Sequence, residues 1–114
     1  MKRIDYLKEA EKIVCHDREN TYGKPENNFT TIADLWNAYL VTACDVETNI
    51  TAKDVAIMMM LLKIARIANG KFKPDNWVDL IGYAACGAEC ADSIAFLDKK
   101  TTVLAAAENM LSEE

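Results

Sequence analysis

Glycine and proline are scarce in this chain, with four and two in 114 residues, less than half the ~12% of ordinary usage. A chain so poor in turn residues cannot connect many short strands, which argues against an all-β sandwich or barrel and excludes collagen-like and linker-rich classes. Histidine is almost absent, His16 alone. The cysteines Cys15, Cys44, Cys86 and Cys90 lack a zinc-knuckle spacing, so reduced thiols are expected in place of a metal knot or a disulfide framework. Basic charge is also short: 13 Lys/Arg face 18 Asp/Glu, a net −5. That balance gives no general electrostatic attraction to nucleic-acid backbone or anionic membrane. The longest unbroken apolar run, 55–62, is eight residues, and the basic start turns polar at once, so neither a spanning helix nor a signal-peptide core is expected. The reading is a soluble protein of the cytoplasm.

What is present is helical periodicity. Apolar residues make up 51% of the chain, enough for a packed core. Five helices are predicted, at about 4–17, 26–44, 51–69, 74–98 and 101–112, forming one all-α domain over 1–114. The first carries Ile4, Leu7, Ala10, Ile13 and Val14 on one stripe. The second turns Phe29, Ile32, Ala33, Trp36, Tyr39, Leu40 and Ala43 inward. Between them, 18–25 reads as a polar loop punctuated by Gly23 and Pro25. Thr51 and Asp54 form a near capping box, Gly70 is a stop, and Pro74 suits a first turn.

The third helix is apolar around nearly its whole circumference, which predicts a central position. Lys63 and Arg66 emerge from it three residues apart, and buried cations need water or anions. They mark either a solvated strip or one side of a polar cluster. The short connection at Gly70 packs helices three and four antiparallel, so an Arg66–Asp79 pair is expected, with Asp75, Asp79 and Tyr83 on one face. Such a cluster suits a polar, phosphate-bearing small molecule. A second cluster, Arg18, Tyr22, Asn27, Asn28 and Phe29, combines a cation, a phenol, amides and an aromatic face; it suits a base or sugar, or ordinary loop capping. The small residues of helix four, Gly82 and Gly87 among them, predict a close helix approach, read as a dimer seam. Cys86 and Cys90 share a helical face and are expected to be packed.

Tyr22-Gly23-Lys24-Pro25-Glu26-Asn27-Asn28-Phe29, Leu62-Lys63-Ile64-Ala65-Arg66 and Asp75-Asn76-Trp77-Val78-Asp79-Leu80-Ile81-Gly82-Tyr83-Ala84 together resemble a family of small phage and prophage proteins of unassigned function. That family is similar to the all-α nucleoside-triphosphate pyrophosphohydrolases of the MazG and dUTPase type. The resemblance implies a MazG-like helical bundle assembled as a homo-oligomer. Enzymes of that type hold Mg²⁺ with E-x-x-E and E-x-x-D motifs, because a hard cation must sit beside a polyanion while water is activated. Here only Asn76-x-x-Asp79 matches the second motif, and the third helix has no carboxylate after Asp54. The expected function is therefore a phage-encoded, non-enzymatic nucleotide binder, a sponge for a host immune nucleotide signal acting in the bacterial host cytoplasm. No catalytic residue and no cofactor is assigned to it. Lys63 and Arg66 would take phosphate, Arg18 a second anion, and Tyr22, Asn28 and Trp77 base or ribose. Asp79 would orient Arg66, with Tyr83 beside it. The alternatives are a divergent Mg²⁺-dependent pyrophosphohydrolase using Asp75 and Asp79 with Asp54 or Glu89, and a protein–protein adaptor.

Overall fold

Helix initiation follows local chemistry. The structure, a computed structural model, describes residues 1–112. Its elements are α1 (Arg3–Lys12), a π-helical turn (Ile13–Asp17), α2 (Arg18–Tyr22), α3 (Pro25–Cys44), α4 (Ala52–Asn69) and α5 (Pro74–Ser112). No strand occurs among the described residues. Proline opens both α3 and α5, where its missing N–H costs nothing. At α4, the Asp54 carboxylate accepts from the Thr51 amide at 2.9 Å and from its hydroxyl at 3.0 Å. These bonds, the amide first, hold the Asp54 carboxyl below its ordinary pKa. Asp45 ends α3 in the left-handed region, at φ 54°. The Asn37 amide then pins the following loop, accepting from the Ile50 N–H at 2.9 Å and donating to the Ile50 carbonyl at 3.0 Å.

Two expected boundaries are wrong. The segment expected as a loop, 18–25, stays helical to Tyr22, because the π turn carries the chain through without a Gly or Pro until Gly23. The expected fourth and fifth helices are one 39-residue helix. Nothing between 98 and 101 breaks it, and the Thr102 hydroxyl donates to the Asp98 carbonyl at 3.0 Å within it. The bundle is thus four helical rods instead of five, counting α1, the π turn and α2 as one.

The core gathers Phe29 and Ala33 of α3, Ala52, Val55 and Ala56 of α4, and Cys86 and Cys90 of α5. Burial of both thiols agrees with the packing expected for them. α4, expected to be central, is covered on one side only: Ile57, Met58, Leu61, Leu62 and Ile64 are exposed. Of the residues expected inward on the first two helices, Ile4, Leu7, Tyr39 and Ala43 also face out. Gly82 and Gly87, read from the sequence as a dimer seam, serve a close approach within the chain itself. A methyl at Gly82 would lie 2.7 Å from Val14 Cγ1, and one at Gly87 2.8 Å from Ala56 Cβ, so both glycines let α5 approach its own bundle.

Beyond the bundle α5 continues as an arm. Residues 95–112 are all exposed. The radius of gyration is 18.2 Å, against about 13 Å for a compact chain of this length. One 18-residue window of α5 has a mean hydropathy of 1.3 with 17% of it buried, so by length and composition this helix could cross a bilayer. Counting unbroken apolar runs overlooks this, because Glu89 and Asp92 interrupt α5.

Candidate functional site

The π turn decides which side chains meet. A π turn adds a residue to the helical repeat and rotates the side chains downstream of it. Ile13 and Val14 at its start, and Arg18, Glu19 and Tyr22 after it, all line one cavity of about 300 Å³. Asn28, Phe29 and Ile32 of α3, Val55 and Met59 of α4, and Val78, Asp79, Gly82, Tyr83 and Cys86 of α5 complete the wall. Gly23, at φ 83°, makes the corner that folds α2 back over α3. The Phe29 and Tyr83 rings are 6.3 Å apart at 33°. The chamber has an apolar floor and a polar rim.

Five of the eight expected site residues, Arg18, Tyr22, Asn28, Asp79 and Tyr83, come together there. Three do not, and each has a physical reason. Lys63, not Arg66, pairs with Asp79, at Nζ–Oδ2 2.8 Å. Lys63 is only 8% exposed, and its charge is spent on that carboxylate behind the cavity wall, so it is not free for phosphate. Arg66, a turn further along α4, is exposed and lies outside the cavity. Trp77 faces away and lines a shallow apolar groove with Arg3, Tyr6, Leu7, Phe72 and Ile81. Arg18 is therefore the one Lys or Arg lining the cavity among the described residues.

The site carries groups that sequence reasoning overlooks. Cys86 lies in the wall, and burial, then the neighbouring Cys90, pushes its thiol up to about 11, so it stays a neutral, weakly polar surface. Glu19 lies at the rim. Glu89 of α5 faces Glu26 of α3, whose buried Oε2 has no hydrogen-bond partner; a proton shared with Glu26, then the repulsion between the two carboxylates, raises the Glu89 carboxyl above its ordinary range. Only the three-dimensional approach of α3 and α5 signals this pair. The aspartates named for magnesium do not assemble. Asp54 caps α4, Asp75 is exposed at the start of α5, and Asp79 is held by Lys63. No group of three or more His, Cys, Asp or Glu side chains with metal-site geometry occurs among the described residues, so these aspartates do not fit a hard divalent cation.

Residues 5–91 match a family described as a domain of unknown function, DUF6378. The chain is 39% identical over 80 residues to the Gene 55 protein of Mycobacterium phage D29, covering 70% of this chain and 49% of that protein. It is 41% identical over 81 residues to the Gene 55 protein of Mycobacterium phage L5, covering 71% and 49%. The chain thus spans about half the length of the curated relatives it matches. No solved structure matches it. The chain belongs to the DUF6378 family, whose matched span takes in every residue of the cavity.

Proposed function

We propose that the chain is a non-enzymatic, phage-encoded binder of a nucleotide-type small molecule, working as a sponge in the bacterial host cytoplasm. The cavity carries this reading: an apolar chamber with Arg18, Tyr22 and Asn28 at one side and Asp79 and Tyr83 at the other. Its volume, about 300 Å³, lies at the small end of ligand pockets, ~300–1,000 Å³. That space favours one nucleoside unit inside, with phosphate outside at the rim. Tyr83 and Phe29 supply aromatic faces for a base, and Asn28 supplies donors and an acceptor for its edge. Asp79, oriented by Lys63, accepts from a ribose hydroxyl. With Arg18 alone to meet anions, and Glu19 beside it, the site suits one phosphate at the rim better than a triphosphate.

The finer kinship, a MazG-like bundle assembled as a homo-oligomer, belongs to the same reading. The open side of α4 supports the homo-oligomer, since a helix apolar all round is normally buried. A nucleotide panel that includes cyclic and ADP-ribose-type compounds, titrated by calorimetry with magnesium or with EDTA, tests the proposal. Saturable binding of one intact ligand per cavity in EDTA supports it. Magnesium-dependent release of pyrophosphate or a monophosphate would establish the pyrophosphohydrolase in its place. No binding at all would leave the adaptor.

A further inference from the structure

The α5 arm carries a repeat that the bundle does not use. Phe96 and Leu97, Val103 and Leu104, and Met110 and Leu111 recur at intervals of seven, and each is 55% to 71% exposed. A seven-residue apolar repeat keeps one stripe on one side of a supercoiled helix, the pattern of a helix that pairs with another. Along the middle of the stripe, between these pairs, lie Lys100 and Ala107.

We propose that residues 95–112 of α5 form an antiparallel two-helix seam with the same arm of a second copy of this chain. This adds to the homo-oligomer reading a contact separate from the open side of α4, and it rests on no part of the ligand reading. The residues on the stripe identify the occupant. With the two-fold between Val103 and Leu104, Phe96 meets the partner's Leu111, Leu97 meets the partner's Met110, and Val103 meets the partner's Leu104. Lys100 then lies over the partner's Ala107, whose small side chain leaves room, next to the partner's Glu108. A parallel in-register pair would instead stack Lys100 on the partner's Lys100 in mid-seam, a like-charge contact that costs stability. Size and charge therefore match only when the arms run in opposite directions. Six side chains exposing roughly 100 Å² each present about 600 Å² per copy, short of the ~800 Å² per partner of a standard interface. The association is accordingly weak and concentration-dependent.

Sedimentation equilibrium of the full chain, from low micromolar to several hundred micromolar, tests the seam. The wild-type chain should dimerise in that range. Leu104→Glu, at an exposed position that leaves the bundle intact by circular dichroism, should weaken dimerisation by about 100-fold or more. Lys100→Glu should weaken it about tenfold, and adding Glu108→Lys should restore it to within about threefold. If adding Glu108→Lys fails to restore dimerisation, Lys100 does not face the partner's Glu108, the arms do not run antiparallel and the proposal fails. If Leu104→Glu dimerises like wild type, the seam lies elsewhere: this proposal fails while the homo-oligomer reading survives. A wild-type monomer throughout overturns both, and a monomer that co-floats with phosphatidylcholine vesicles reassigns the stripe to lipid.

Discussion

Lys63 of α4 and Asp79 of α5 meet at 2.8 Å in an ion pair that is largely out of water and forms the back of the cavity wall. The pair locks α4 to α5 and leaves one Asp79 edge toward the chamber. Removing either partner leaves a poorly hydrated charge. Asp79→Ala should destabilise the fold by about 2–4 kcal/mol, a figure at the lower side of fully buried pairs because Asp79 keeps some solvent. The melting temperature should fall by roughly 10–20 °C. Arg66→Ala, at an exposed position, should change it by no more than about 2 °C. Equal effects from both variants would contradict this assignment of the partner.

The Gly82–Val14 approach should behave as a coupled pair. Gly82→Ala forces a methyl to 2.7 Å from Val14 Cγ1, and such overpacking costs about 1–3 kcal/mol. Val14→Ala in the same chain should return at least half of that loss, as chemical denaturation of the double-mutant cycle would show. Additive losses would mean that the helix, not this contact, is the source.

Arg18 is exposed at the rim, so its loss should affect ligand and not fold. Arg18→Ala should weaken a nucleoside monophosphate about 10- to 100-fold while changing the parent nucleoside by less than about threefold. Calorimetry on the two ligands separates these numbers, and a uniform loss would place the phosphate elsewhere.

The Glu26–Glu89 pair sets a pH dependence. Glu89 has a raised pKa in the fold, so the folded chain holds more protons than the unfolded one just above the ordinary glutamate range. Stability must then rise as pH falls from 7 through that raised value. Asp54, with a lowered pKa, acts oppositely and only at more acid pH, where its stabilising contribution is lost as pH falls. Melting temperatures between pH 7 and 5 should therefore climb more steeply in the wild-type chain than in Glu26→Gln. Parallel profiles would contradict the coupling.

Particular residues show how far the sequence can be read. Thr51 and Asp54, Gly70 and Pro74 mark the α4–α5 hairpin, because caps and breakers act locally. The cluster of Arg18, Tyr22, Asn28 and Phe29 is legible as a composition, and the cavity gathers it. The π turn at Ile13–Asp17 is not legible, since the dihedrals of its flanking residues are ordinary helical values and no special residue marks it. Counting depth from the bend pairs Arg66 with Asp79, since Arg66 lies four residues before Gly70 and Asp79 five after Pro74; the rotation of α4 against α5 selects Lys63, a turn deeper, instead. The same rotation turns Trp77 away from the cavity. The length of α5 is hidden because a helix need not end where its charges cluster, at Asp98, Lys99 and Lys100.

We propose that the cavity between α2, α3, α4 and α5 holds a nucleotide without cleaving it. The most direct measurement incubates the purified chain with a nucleotide mixture in EDTA and again in magnesium, removes free ligand, denatures the protein and identifies what is released by mass spectrometry. One nucleotide species is predicted, intact and stoichiometric with the chain under both conditions, and lost in the Arg18→Ala, Tyr22→Ala double variant. Recovery of a hydrolysed product only in magnesium, or equal retention by the double variant, would contradict the claim.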